Sequence, residues 1–358
     1  MRKSYILISS STLLLFLLCY MSGCGGDSLI TGNVPTATPT NSPGNQTVNG
    51  KVYNLFTSVP VANASIVNGS NMVTTDPNGN YKDLFIDEKN TRIKITASNY
   101  VDREMSFSSD NKSQDISLIP GSYNMEMYRA LNKLSVFPNT VRFIRQPKII
   151  IYTKFLVSGQ TVDPGTLKLT EDTLKNDLTG SSDGIMSNPE ITYLNMSPRE
   201  DPNMSYDPNN SSAYTLLPDT ISVSYVETFL YKDIYGCAIC ICDFKTGLIN
   251  SGGICIPIDG NNNIVYTISH QTGHAFGLQH PFEYFVNSIS DPLCEVSVMN
   301  LYQLGKSTDT FSEADKKALI INNHRAPKHK TPDIDPADWP GYYKNTSCRQ
   351  VYKYYDKF

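Results

Sequence analysis

Short runs in which apolar and polar residues alternate fill the stretch from residue 48 to about residue 120. Residues 48–52 (VNGKV), 93–97 (IKITA) and 116–118 (ISL) repeat with a period of two, which is the period of a half-buried β-strand. Turn-forming residues separate these runs, as in the sequence DPNG at residues 76–79. Several short strands divided by turns predict a small all-β sandwich over residues 48–120.

The pattern changes after residue 120 and predicts a mixed α+β body over residues 121–335. Residues 148–152 (KIIIY) form a continuous β-branched run that suits a buried strand, and residues 221–229 and 235–243 also predict strands. A helix is predicted over residues 170–178, opened by Thr170 with acidic residues in its first turn. Residues 183–210 predict mostly surface loop, and residues 336–358 predict a C-terminal tail.

The first 23 residues have the pattern of an export signal. A basic start is followed by a mostly apolar stretch over residues 6–21 and by small residues before Cys24. Ser22-Gly23-Cys24 resembles the lipobox of bacterial lipoproteins, which implies that Cys24 is lipidated. Residues 24–47 are rich in Gly, Thr, Pro and Ser and predict a flexible tether. We therefore expect the chain outside the cytoplasm, at the cell surface, touching a bacterial membrane through the lipid anchor only.

Charge excludes one class of partner. The formal net charge of the 358-residue chain is −4, so there is no basic excess to neutralise the phosphates of a nucleic acid. We expect no nucleic-acid partner.

Six cysteines follow Cys24, and an even number outside the cytoplasm fits three disulfides, with the pairing left open. Cys240 and Cys242 fall on one face of the predicted strand, and a hairpin would return Cys255 near that face. A disulfide staple and a second metal site at Cys237, Cys240 and Cys242 both remain compatible with this spacing. The disulfide candidates are Cys237, Cys240, Cys242, Cys255, Cys294 and Cys348.

Three of the five histidines lie in the string HQTGHAFGLQH at residues 270–280. A helix starting near Asn263 would turn residues 264, 265, 268 and 275 toward the core and place His270 and His274 one turn apart on its opposite side. Gly277 can adopt a positive φ, so the helix can end there and the chain can deliver His280. Three such histidines predict one Zn²⁺ site with a fourth position left for water, which is the catalytic arrangement.

The string resembles the long zinc motif of the metzincin metallopeptidases, HExxHxxGxxH, at every position except one. Met299 in the sequence SVMN resembles the methionine of the turn beneath the metzincin metal, and residues 311–321, with Ser312 as N-cap, resemble the last helix of matrixin-like members. Residues 48–120 resemble the carboxypeptidase regulatory-like domains. These resemblances imply a metzincin-like domain, with a zinc-binding helix on a twisted mixed sheet, that acts on peptides or proteins.

Gln271 is the departure from the motif, because metzincins have a glutamate at this position. In the family this glutamate is the general base, which accepts a proton from the zinc-bound water. A glutamine amide can hydrogen-bond that water but cannot take up the proton. Three explanations stay open: a pseudoprotease that binds a peptide or protein without cutting it, a weak protease, and an altered residue in an otherwise active enzyme. A zinc ion that only stabilises the fold is a further alternative.

Overall fold

The structure is a computed structural model that describes residues 46–357, except residues 87–90, 108–111, 133–139, 144, 180, 182–187, 204–216, 228–233, 244–246, 259–262, 282–290, 302–304 and 326–348. The export signal, Cys24, most of the tether and Cys348 lie outside the described residues, so the expectations for them stay predictions. Residues Pro43–Phe358 form one compact unit. No helix in the described part of the chain is long and apolar enough to cross a membrane.

Two small sheets make up the first body, as the period-two pattern predicts. The first sheet has the order β4-β1-β7 and consists of β1 (Gln46–Asn54), β4 (Asn80–Ile86) and β7 (Ile116–Leu118). The second has the order β3-β2-β5-β6 and consists of β2 (Ser65–Asn68), β3 (Asn71–Thr74), β5 (Arg92–Thr96) and β6 (Arg103–Ser106). Alternate side chains from both sheets, such as Val52, Ile66 and Ile95, are fully buried in one shared apolar core.

A seven-stranded mixed sheet forms the centre of the second body. Its order is β10-β9-β11-β13-β12-β14, with β8 (Arg142–Phe143) beside β13. The strands β9 to β11 and β13 run parallel, whereas β12 is antiparallel to both β13 and β14. The bounds are β9 (Lys148–Tyr152), β10 (Ile191–Leu194), β11 (Thr220–Val226), β12 (Ile234–Asp243), β13 (Leu248–Pro257) and β14 (Arg349–Lys357). Strand β10 lies in a stretch that was expected to be mostly loop.

Four helices accompany this sheet among the described residues: α1 (Met125–Leu131), α2 (Pro164–Thr179), α3 (Ile264–Ala275) and α4 (Glu313–His324). The predicted start of α2 at Thr170 is wrong, because the helix begins six residues earlier at Pro164. Proline suits the first helical position, and the Asp163 carboxylate accepts the backbone N–H of Thr166 at 2.9 Å in the manner of an N-cap. The fold class is α+β, as the sequence predicts.

One acidic side chain of α2 is enclosed in the second body. Asp177 is 1% exposed, and its Oδ1 accepts the backbone N–H of Phe311 at 3.1 Å. Burial raises the pKa of Asp177 to about 6, because desolvation disfavours the charged carboxylate.

The raised pKa of Asp177 predicts a pH dependence of stability. A folded-state pKa above the unfolded value means that the folded chain holds the proton of Asp177 more tightly than the unfolded chain does. The stability that this proton binding contributes is present below about pH 4 and is lost as pH rises through about 6. Two pKa units correspond to about 3 kcal/mol. Subtracting the unfolding free energy of Asp177→Asn from that of the wild type should therefore give a difference that falls by about this amount between pH 4 and pH 7. Asp172→Asn, on the exposed face of the same helix, is the control for replacing an aspartate of α2.

The cysteines of the β12–β13 hairpin do not lie as expected. Antiparallel pairing places Cys255 opposite Cys237, and Cys240 opposite Gly252. Cys240 and Cys242 are buried in the core on one face of β12, whereas Cys237 and Cys255, at positions of the other parity, face the opposite side. The expectation that Cys255 lies near the Cys240–Cys242 face is wrong. The second metal site at Cys237, Cys240 and Cys242, which the spacing left open, is not among the metal-ligating groups found in the described residues. No disulfide joins two cysteines within the described part of the chain.

The sandwich and the second body share an apolar wall. Leu55 and Ile119 of the sandwich belong to the core of the second body. Arg325, which directly follows α4 and is 2% exposed, donates from Nη1 to Ser117 Oγ at 2.7 Å and from Nη2 to the Ser117 carbonyl oxygen at 3.2 Å. Ser117 lies in β7, so the end of α4 is anchored to the last strand of the sandwich.

Candidate metal centre

Helix α3 starts and ends where the sequence indicates. The Asn263 side chain caps its N-terminus by accepting the backbone N–H of Tyr266 at 3.2 Å. Beyond its C-terminus Gly277 has a φ of +89°, and a Cβ at that position would lie 2.2 Å from Val141 Cγ2. Glycine is therefore required there by the backbone conformation and by the close packing, and the turn leads to His280.

The sequence predicts that α3 turns residues 264, 265, 268 and 275 toward the core, and this is wrong for Val265. Every residue from Tyr266 to Ala275 is buried, whereas Val265 is only half-buried. The helix is covered on both sides, because it packs against the large sheet and also bonds to the loop at residues 297–300. The Tyr266 hydroxyl donates to the carbonyl oxygen of Asn300 at 3.1 Å.

The three histidines converge on one point. His280 Nε2 lies 3.1 Å from His270 Nε2 and 3.0 Å from His274 Nε2. Nitrogens bound at about 2.0–2.1 Å to one tetrahedral ion lie about 3.3–3.4 Å apart, which is close to this spacing. His270 and His274 are buried and His280 is half-buried, so the cluster is enclosed by the helix and approachable from the His280 side. It is the one set of three metal-ligating side chains found in the described residues.

Backbone carbonyls fix which ring nitrogens can bind a metal. His270 Nδ1 lies 2.6 Å from the carbonyl oxygen of Val298, and His274 Nδ1 lies 2.8 Å from that of Leu278. A carbonyl oxygen can only accept, so each Nδ1 carries the proton, and in the neutral ring each Nε2 has a bare lone pair. The Nε2 lone pairs of His270 and His274 both point toward His280 Nε2. This arrangement is repulsive unless a cation or a shared proton lies among the three nitrogens. The donor set thus fits a metal ion such as Zn²⁺, and the Val298 and Leu278 carbonyls orient the two rings.

Gln271 directly follows His270 in α3 and is 2% exposed. A Cβ added at Gly236 of β12 would lie 2.7 Å from Gln271 Nε2, so the amide is packed directly against the β12 backbone. The structure thus places the Gln271 side chain against strand β12. Gly236 leaves the space for it, and sequence reasoning missed this role because it depends on a contact between distant segments.

Met299 lies on the other side of α3. Residues 297–300 form a turn closed by the backbone N–H of Asn300 donating to the Ser297 carbonyl oxygen at 3.1 Å. Met299 is fully buried, and a Cβ added at Gly273 would lie 2.3 Å from its Sδ. Gly273 was not singled out from the sequence. A glycine inside a predicted helix was the available signal, because it is unfavourable there unless another group approaches closely.

A buried carboxylate holds the Met299 turn in place. Asp315 Oδ2 accepts the backbone N–H of Val298 at 3.0 Å and that of Ser312 at 2.9 Å, and Oδ1 accepts the Ser297 hydroxyl. Ser312 is the N-cap of α4 as predicted, and with Asp315 it forms a capping box. The Val298 carbonyl accepts from His270. Asp315 therefore positions His270, a candidate metal ligand, through its hydrogen bond to Val298.

Replacing Asp315 by Asn should weaken zinc binding by about 10-fold or more, as outer-shell changes do. The new amide nitrogen cannot accept the N–H donors of Val298 and Ser312, so the turn that orients His270 loosens. The measurement is the zinc dissociation constant by competition with a chelator. Glu313→Gln is the control, since Glu313 lies in the same helical turn with its side chain 79% exposed. Equal zinc affinities of Asp315→Asn and wild type would show that the turn does not position His270.

Of the residues that the sequence assigned to the site, the structure brings His270, His274 and His280 together. Met299 packs against α3 at Gly273, Gln271 packs against Gly236, and Gly277 forms the turn after α3. The structure adds Gly236, Gly273 and Asp315. Of the cysteine candidates, Cys237, Cys240, Cys242 and Cys255 lie on the hairpin, and Cys294 packs beside the Met299 turn, where its Sγ lies 3.9 Å from Asn300 Oδ1.

Comparison with known proteins gives no direct assignment of this arrangement. A scan against protein-family models matches no family, and a comparison with curated protein sequences finds no significant match.

Proposed function

We propose that His270, His274 and His280 bind one Zn²⁺ and that the chain is a metzincin-like surface lipoprotein that binds peptides or proteins and hydrolyses them weakly or not at all. The observation that carries the proposal is the convergence of His270 Nε2 and His274 Nε2 on His280 Nε2, at 3.1 and 3.0 Å, while carbonyls hold the opposite nitrogens of His270 and His274. A histidine triad with a free fourth position is typical of catalytic rather than structural zinc.

The arrangement around the triad supports the metzincin-like part of the proposal. A buried helix carries two of the ligands, a positive-φ glycine leads to the third, and a turn with a buried methionine lies against the helix. The mixed sheet and the preceding sandwich are compatible with the domain order that the resemblance implies.

Gln271 decides how much chemistry this site performs. A zinc ion bound here supplies Lewis acidity toward a carbonyl oxygen and toward water. The Gln271 amide can hydrogen-bond a water molecule or a carbonyl group, but it cannot take up a proton from water at neutral pH. Among the described residues no carboxylate lies within the histidine cluster. Recognition of a peptide or protein is therefore the activity that these residues support best, and slow hydrolysis is the second candidate because the metal ligands are intact.

The proposed location follows from the N-terminal segment alone. The export pattern and the lipobox-like Ser22-Gly23-Cys24 support lipidation at Cys24 and attachment to the outside of a bacterial membrane. Radiolabelled fatty acid should be incorporated into the wild type and not into Cys24→Ser.

The test of the proposal is a zinc count combined with a binding and cleavage assay. The purified chain should contain one zinc ion per molecule by atomic absorption. When the chain is immobilised on a column, it should retain labelled denatured casein. It should release cleavage products from the casein no faster than about 10⁻² of the rate expected with a general base in place. A chain purified without zinc, and unable to take it up, would contradict the metal site. A chain that binds zinc but neither retains nor cleaves unfolded protein would leave zinc as a structural ion and would contradict the binding function.

A further inference from the structure

The hairpin formed by β12 and β13 carries two cysteines that face each other across the ladder. Cys237 of β12 is the register partner of Cys255 of β13, and the pairing is regular from there to Ile241 and Ser251. Both cysteines are half-buried, and the structure shows no bond between them. They lie on the face of the sheet opposite Cys240 and Cys242, which point into the core.

The spacing of directly opposed residues suits a covalent link. In an antiparallel pair, opposed Cα atoms lie about 4.5–5.5 Å apart. Disulfides join cysteines whose Cα atoms lie about 4.4–6.8 Å apart. The register pairing therefore places the two Cα atoms at a separation that disulfides commonly span.

The position of the pair connects it to the metal centre. Cys237 follows Gly236, the residue whose backbone packs against Gln271. A bond from Cys237 to β13 would hold the start of β12 in register at the point where it covers Gln271. The strand could then neither fray nor slip away from the site.

We propose that Cys237 and Cys255 form a cross-strand disulfide that fixes the β12 strand beside Gln271. The two thiols lose two protons and two electrons as the S–S bond forms. The oxidant is the disulfide of an extracytoplasmic thiol–disulfide exchange protein, which is reduced to a dithiol in the same step. The proposal depends on export of the chain and not on the metal.

Cys240 and Cys242 provide the contrast. Both are buried in the core, and their mutual hydrogen bond together with burial raises the pKa of the Cys240 thiol. Exchange requires a thiolate that the oxidant can reach. These two thiols therefore stay reduced while the half-buried pair on the other face reacts.

The bond can be mapped directly. The full chain, produced with its export signal and recovered from outside the cytoplasm, is denatured without reductant in the presence of an alkylating reagent, digested and fragmented in a mass spectrometer. We expect Cys237 linked to Cys255, with Cys240 and Cys242 alkylated. The double variant Cys240→Ser, Cys242→Ser should keep the link, and Cys237→Ser should leave Cys255 alkylated. Full alkylation of Cys237 and Cys255 in the wild type, or a link from either one to another cysteine, would overturn the proposal.

Thermal unfolding gives a second measurement that does not depend on the peptide map. The bond closes a loop of fewer than 20 residues, so its loss should lower Tm by about 4 °C. Reductant should produce this decrease in the wild type and none in the double variant Cys237→Ala, Cys255→Ala. A decrease of the same size in that variant would show that another bond is being reduced. A zinc count on the same samples separates this proposal from the function, because a missing link with zinc present contradicts only the disulfide.

Discussion

Replacing Gln271 by Glu is expected to raise the rate of peptide hydrolysis by about 10²–10⁴-fold, which is the usual contribution of a general base. The two side chains have nearly the same shape, so a carboxylate at position 271 would occupy the space that Gly236 leaves open. It would lie beside the histidine cluster and could accept a proton from water there. The zinc count should not change, because none of the three ligands is altered.

The measurement is the initial rate of cleavage of a quenched fluorescent peptide library by the zinc-loaded wild type and variant. Gln160→Glu is the matched control, since it makes the same chemical change at an exposed turn of the second body and should leave the rate unaltered. Wild-type cleavage as fast as that of Gln271→Glu would mean that another group acts as the base. A variant that binds zinc and peptide yet gains no activity would show that the site lacks a productive geometry for water.

Removing the zinc is expected to lower the thermal stability of the protein markedly. At a free zinc concentration of about 100 times the dissociation constant, binding adds about 2.7 kcal/mol to the free energy of unfolding. For a chain of this size that corresponds to a shift in Tm of about 4 °C. The loss of stability should be concentrated in α3, because this helix carries His270 and His274, whose Nε2 lone pairs lie close to His280 Nε2 and are repelled without a cation.

Scanning calorimetry with and without a chelator measures this shift, and readded zinc should reverse it whereas magnesium should not. His274→Ala should show the lower Tm in both conditions and contain no zinc. His324→Ala removes a histidine outside the cluster and should keep the full response to chelation. Identical unfolding curves for zinc-loaded and chelated wild type would contradict a bound metal at this site.

The parts of the site that the sequence predicted are those determined by local geometry. His270 and His274 are four residues apart on one helix, and Gly277 takes the positive φ that directs the chain to His280. These relations span eleven residues, so the residue types and their spacing are sufficient to predict them.

The parts that the sequence did not predict depend on contacts between distant segments. Asp315 reaches the Met299 turn from 17 residues away, and Gly236 meets Gln271 only because β12 lies beside α3. The partner of Cys255 depends on the strand register, which a shift of one residue would change completely. The α2 start was missed because Thr170 resembled a cap, although Asp163 and Pro164 offered a stronger signal.

The wall shared by the sandwich and the second body limits how this protein can be engineered. A fragment beginning at residue 121 would lose Leu55 and Ile119 from its core. It would also leave the buried guanidinium of Arg325 without its acceptors on Ser117. The second body is therefore not a portable module: an expression fragment or a fusion that is meant to keep the histidine cluster intact has to carry the sandwich with it.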